Sequence, residues 1–184
     1  MKKNVIVVPD GFKKKEEDSN FVPNPSFVYK EVLDYVSKNY KYDNIYIAPA
    51  NFFGFEISEQ EVGKNYLYNK GLKKVYTNCK VGKKYIDTKG NAVELKNFLK
   101  IKKLWPLKKI ILVSGYIHAK RAKYCFIREG YEIKKVVKVG YKISNNSEII
   151  PCLWYYKYPL IHRIYEACNI VRYFFHYLIF KKSC

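Results

Sequence analysis

Acidic residues are scarce in this chain: 16 Asp and Glu stand against 35 Lys and Arg, a formal charge of +19 over 184 residues. A field of that size attracts polyanions such as nucleic acid, anionic lipid headgroups or phosphates. The basic excess is spread along the sequence and forms no tail. Nineteen Tyr beside many Lys, Asn and Ile also match the residue bias of an AT-rich genome. A selected anionic partner and a neutral compositional bias therefore both stay open.

Clustered cysteine is missing as well. Cys79, Cys125, Cys152, Cys168 and Cys184 are odd in number and widely spaced, with no CxxC pair and no Cys/His cluster. That pattern argues against a zinc site and a disulfide framework, and no metal is expected. No GxGxxG follows the first apolar segment, which counts against a conventional dehydrogenase or methyltransferase, and no P-loop is present. No Gly-x-Ser-x-Gly surrounds any serine, so a nucleophile elbow is not indicated. The apolar run 5–8 is too short for a signal-peptide core, and the reading expects a cytoplasmic chain with reduced thiols. Internal repeats and low-complexity tracts are lacking.

Long hydrophobic runs are also few. The richest, 161–180, is broken by His162, Arg163, Glu166, Arg172 and His176. A spanning helix needs about 20 predominantly apolar residues, so this segment is not expected to cross a membrane. Two readings of it remain. It covers one face of the domain with its polar residues outward, or it lies on an anionic membrane surface, helped by Trp154, its neighbouring Tyr residues, Lys181 and Lys182. The first is the commoner outcome, and the second would make the chain peripheral to the inner membrane face.

What the chain does contain is alternation. Apolar runs at 5–8, 45–48, 75–79 and 110–113, with an alternating stretch at 132–139, read as strands. Between them lie helical patterns: one opened by Asn24 and Pro25 and running to about Lys38, and one opened by a capping box at Ser58 and Glu61. Further helices are expected at 88–100 and 118–129, and the charged stretch 13–20 reads as a mobile loop. Strands alternating with helices of this length imply βαβ units and a mainly parallel sheet. The expected fold is α/β, a Rossmann-like three-layer sandwich with an aromatic C-terminal helix.

The segment 110–126 carries the most information. An all-apolar strand ends at Ser114 and Gly115, and His118 and Arg121 follow on one face of the next helical turn. Open α/β sheets place ligands at such turns, outside the carboxyl ends of the strands. Arg121 offers a fork of donors suited to phosphate or carboxylate, near the backbone N–H groups of a helix N-terminus. Pairing of Arg121 with a surface acid, and capping of the helix by His118, are the plainer alternatives. Turns after parallel strands open on one edge, so Asp10, Asn51, Glu61, Thr88, Asn91, Ser114, His118 and Arg121 are expected to converge. His118 with Glu61 or Asp10 would form a titratable, catalytic set. Arg121, Ser114, Asn91, Thr88 and Asn51 would hold the ligand. Ordinary structural roles compete: Glu61 as the capping-box acid, Thr88 as an N-cap, Asp10 as a turn residue.

Taken in order, these segments resemble the bacterial SanA/ElyC/YdcF-like family over roughly residues 4–140. The matching features are the first strand and its Gly-containing turn, Glu61 opening a helix, and Thr88 with Asn91 and Ala92. Ser114, His118, Arg121 and Ala122 form the most specific piece, and Glu166 matches a Glu of the terminal helix. Pro9, Asp10 and Gly11 depart from the family's glycine pair, and the segment 50–54 departs from its Ser-Gly-Gly turn. The resemblance implies a YdcF-like domain at 1–150, with 151–184 as an added aromatic helix. It further implies binding or processing of a phosphate- or carboxylate-bearing small molecule in cell-envelope or surface-polysaccharide metabolism, with polyprenyl-phosphate carriers among the ligands. A transferase or hydrolase would fit. Some members bind S-adenosylmethionine, so a nucleotide-like cofactor is the nearest alternative. Nucleic-acid binding is the third reading, weakened because the Lys pairs fall on separate elements and no known module is present.

Overall fold

The computed structural model describes residues 2–13, 23–78, 85–144 and 147–180. Its elements alternate as expected: β1 (Asn4–Val7), α1 (Phe27–Asn39), β2 (Asn44–Ile47), α2 (Glu59–Asn69), β3 (Val75–Tyr76), α3 (Thr88–Ile101), β4 (Ile110–Gly115), α4 (Ala119–Arg128) and β5 (Ile133–Val139). A 3-10 helix (Pro151–Lys157) then leads into α5 (Pro159–Phe180). The five strands form one sheet in the order β3-β2-β1-β4-β5. Every pairing is parallel. This is a Rossmann-like α/β sandwich.

The strand period of two sorts the core into its layers. Val5 and Val7 face α1 and α2, in a cluster with Ile45, Ile47, Ile111 and Val113. Ile6 and Val8 face α3 and α4, with Tyr46, Ile110, Leu112 and Phe126. Both faces of β1 and β4 are apolar because helices cover both.

Several boundaries moved for identifiable reasons. The cap of α1 is Ser26, whose hydroxyl accepts the Tyr29 N–H, and not Asn24. Pro25 instead bridges to Phe12 ahead of the helix. Asp87, and not Thr88, caps α3 by accepting the Gly90 N–H, which frees the Thr88 hydroxyl for other contacts. β3 is short, and Cys79 at its expected end lies outside the described residues, as do residues 14–20 of the expected loop.

The terminal helix departs most from expectation. Its buried residues are His162, Glu166, Asn169 and Tyr173, spaced at helical intervals and facing the domain. Ile164, Val171 and Leu178 are exposed on the opposite side of the helix. Among the described residues, no helix is long and apolar enough to cross a membrane.

Candidate functional site

The strand order reverses between β1 and β4, and a crevice at such a switch point is where open α/β sheets bind ligands. Asp10 follows β1 and His118 follows β4, so the two face each other across it. His118 Nδ1 lies 2.6 Å from Asp10 Oδ1. The same carboxylate accepts the Gly115 N–H at 3.0 Å and the Tyr156 hydroxyl at 3.1 Å. Asp10 is 2% exposed and His118 4%, so this is an interior pair. Three donors converge on Asp10, which holds it as an acceptor and keeps the imidazole proton on Nδ1. Nε2 of His118 is then left as an acceptor, and Thr88 Oγ1 stands 3.1 Å from it.

Arg121 completes the chain of contacts. Its Nη1 donates to Thr88 Oγ1 at 2.5 Å, so the Thr88 hydroxyl is turned to donate to His118. Its Nε and Nη2 make two parallel bonds to Glu166, at 2.5 and 2.8 Å. Burial opposes the charge on Arg121, yet Glu166 outweighs it and the guanidinium pKa stands well above its ordinary value. Burial likewise works against the Glu166 carboxylate, but His118, His162 and Arg121 together draw it down to about 2. Arg121 is thus paired, and with a buried acid where the plainer reading expected a surface one. Its charge is matched by a buried acid contributed from the C-terminal helix.

Glu61 is not in the site. Its carboxylate accepts from the Ser58 N–H at 2.9 Å and closes the capping box of α2. Glu59, two residues earlier, turns inward instead. It accepts the Gly11 N–H at 2.6 Å and the Asn51 N–H at 3.0 Å, tying the β1 and β2 turns together. Gly11 adopts φ +92°, a conformation that favours glycine, and this aims its N–H at Glu59. Burial pushes the Glu59 carboxyl up to about 7, against the backbone hydrogen bonds that favour the ion. Sequence reading missed Glu59, although a signal existed: once Glu61 serves the cap, the other acid of that first turn is free to point elsewhere.

The remaining candidates divide. Asn91 is buried and lines the cavity, with no hydrogen-bond partner for its Oδ1. Asn51 lines it too, but its side chain is engaged with the Ile86 backbone, accepting the N–H at 2.6 Å and donating to the carbonyl at 2.9 Å. Ser114 is fully buried in β4 with an unpaired hydroxyl and is not among the cavity's lining residues. Asp10, Thr88, His118 and Arg121 all border the cavity. Tyr155, Tyr156 and Tyr165, which the sequence did not single out, close its far side.

The cavity encloses about 50 Å³, room for one compact group. It shares Asn51, Phe53 and Tyr85 with a wider aromatic cleft of about 370 Å³, bordered further by Phe52 and Phe55. A small polar chamber thus adjoins a larger one walled mainly by aromatic rings. Among the described residues, no group of three or more His, Cys, Asp or Glu is placed to hold a metal ion.

Fold and site together define an α/β protein with a buried carboxylate–imidazole pair at the switch point of its sheet. No family model, no curated protein and no solved structure matches the chain.

Proposed function

We propose that the protein is an acid–base enzyme, a hydrolase or transferase, acting on a small molecule whose phosphoryl or carboxyl group enters the polar chamber. The observation that carries this reading is the hydrogen-bonded series Asp10, His118, Thr88 and Arg121 at the carboxyl edge of the sheet. Proton transfer would occur at Nε2 of His118, with Asp10 holding the Nδ1 proton. A water or acceptor hydroxyl entering the chamber would displace the Thr88 hydroxyl from Nε2 and give its proton there as it attacks, and the imidazolium would return that proton to the departing oxygen. Asn91 Oδ1 would accept the second O–H of an attacking water.

The electrostatics narrow the substrate. Asp10, Glu59, Asp87 and Arg121 border the cavity, and the charge of Arg121 is already met by Glu166. A free phosphate would meet more negative than positive charge there and would have nothing to place in the aromatic cleft. An esterified phosphoryl or carboxyl group suits it better, with an apolar body in the Phe53 and Tyr85 cleft. A lipid-linked carrier phosphate of cell-envelope or surface-polysaccharide metabolism has that form, which agrees with the family resemblance.

The acidic, aromatic lining also supports a second reading, binding of S-adenosylmethionine. Its sulfonium would be held by the carboxylates of Asp87 and Glu59 beside the Tyr85 and Phe53 rings.

The test is thermal shift and turnover with defined probes: a chromogenic phosphodiester, a chromogenic carboxylate ester, a short polyprenyl phosphate and S-adenosylmethionine. Turnover of either ester that falls about 10²- to 10⁴-fold in His118→Asn, at unchanged melting temperature, supports the enzyme. A shift with S-adenosylmethionine alone selects the second reading. No turnover and no shift with any probe would overturn both.

A further inference from the structure

We propose that the outer face of α5 is a docking surface for an anionic lipid bilayer, on which the protein rests without crossing it. The observation is an inverted helix. Along α5 the side chains turned to the domain are polar or amphipathic: His162, Glu166, Asn169 and Tyr173. Glu166 faces inward because Arg121 needs a buried counter-charge. At about 100° per residue, the opposite face then carries Ile164, Val171, Phe174, Phe175 and Leu178, which are 43–56% exposed. No charged residue interrupts that stripe. A helix at a water-filled surface ordinarily shows the reverse order, so this face is built to meet something apolar.

Charge identifies the occupant. Arg163 and Arg172 flank the stripe on its two sides, and the only acid of α5 is the buried Glu166. Arg172 reaches Asp87 only at 3.4 Å and keeps 61% of its side chain exposed. Lys120, Lys123 and Arg128 of α4 line a groove that α5 closes with Ile170. An apolar stripe with a cationic border, with Trp154 and Tyr158 half exposed just before it, fits the headgroup boundary of an anionic bilayer. A second copy of the chain fits poorly. A two-fold contact through the same stripe would bring Arg163 and Arg172 of each copy onto the like-charged border of the other.

The experiment is sedimentation of the full chain with vesicles of phosphatidylcholine alone and of phosphatidylcholine with phosphatidylglycerol. The wild type is expected to partition onto the anionic vesicles, weakly onto the neutral ones, and less as salt is raised. Ile164→Glu with Phe175→Glu, both on the exposed face, should lower that partition about tenfold or more at unchanged melting temperature. Arg163→Gln with Arg172→Gln should remove the preference for anionic lipid. Equal partition of the Glu variant, or no partition of the wild type, would overturn the proposal. So would a lipid-free dimer, seen by light scattering, that the Glu variant converts to monomer. None of these readouts depends on turnover, so this surface and the Asp10–His118 site succeed or fail separately.

Discussion

Arg121 and Glu166, 45 residues apart in sequence, are joined by two parallel hydrogen bonds that pin the C-terminal helix to the carboxyl edge of the sheet. Both side chains are less than a tenth exposed. Removing one partner leaves the other charge buried and unmatched. Glu166→Ala should therefore cost about 3–5 kcal/mol in denaturant unfolding. Arg121→Ala combined with Glu166→Ala should cost less than the sum of the two single changes, with a coupling of about 1 kcal/mol or more. Additive costs would show that the pair does not hold the helix.

Stability should depend on pH in two windows of opposite sign. Glu59 is raised from 4.5 to about 7 in the fold, so between those values the folded state holds the extra proton. Its contribution is complete below pH 4.5 and is lost as pH rises through 7, by about 3 kcal/mol. Glu59→Gln should be less stable throughout, because its amide cannot accept both backbone N–H groups, yet it should flatten this slope. Glu166 is lowered from 4.5 to about 2, and its contribution, present above pH 4.5, is lost as pH falls towards 2. Unfolding free energies measured from pH 2 to 8 on the wild type and Glu59→Gln check both signs.

The Asp10 carboxylate fixes the tautomer of His118. Asp10→Asn keeps one acceptor oxygen for three donors, so either the Gly115 N–H or the Nδ1 and Tyr156 donors lose their partner, and the carboxylate charge beside the imidazole is gone. Activity on whichever ester is turned over should fall about 10²- to 10⁴-fold. The His118 ring-nitrogen resonances should show the proton no longer confined to Nδ1. An unchanged tautomer with lowered activity would assign Asp10 a different role.

Tyr29 is fully buried and its hydroxyl has no hydrogen-bond partner. It fits because Gly63 lacks a side chain: a Cβ there would stand 2.0 Å from the Tyr29 oxygen. Tyr29→Phe should be neutral or stabilise by about 1 kcal/mol, since an unpaired buried hydroxyl is removed. Gly63→Ala should destabilise by about 1–3 kcal/mol, and by less in the Tyr29→Phe background. Thermal unfolding of the three variants checks the order.

Much of the layer structure was legible because it follows from local period. Val5 and Ile6 sort to opposite faces by strand alternation, and Ala92, Leu95 and Leu99 form the inner stripe of α3. The Ser58 and Glu61 capping box was readable for the same reason, since both partners lie within one turn. Asp10 and His118 were placed near one another by a topological rule, the shared edge of parallel strands. The length of β3 and the cap of α1 were less legible, because neighbouring polar residues compete for the same backbone groups.

The sequence by itself determined the alternation of strands and helices, the two-sided sheet and the edge where polar side chains gather, because period and turn chemistry act over a few residues. Only the tertiary structure decided that Arg121 meets Glu166, that Glu59 and not Glu61 faces the site, and that α5 turns its polar side inward. These are choices among long-range partners. A buried guanidinium must find a carboxylate, and once Glu166 supplied it, the apolar face of α5 was left outward.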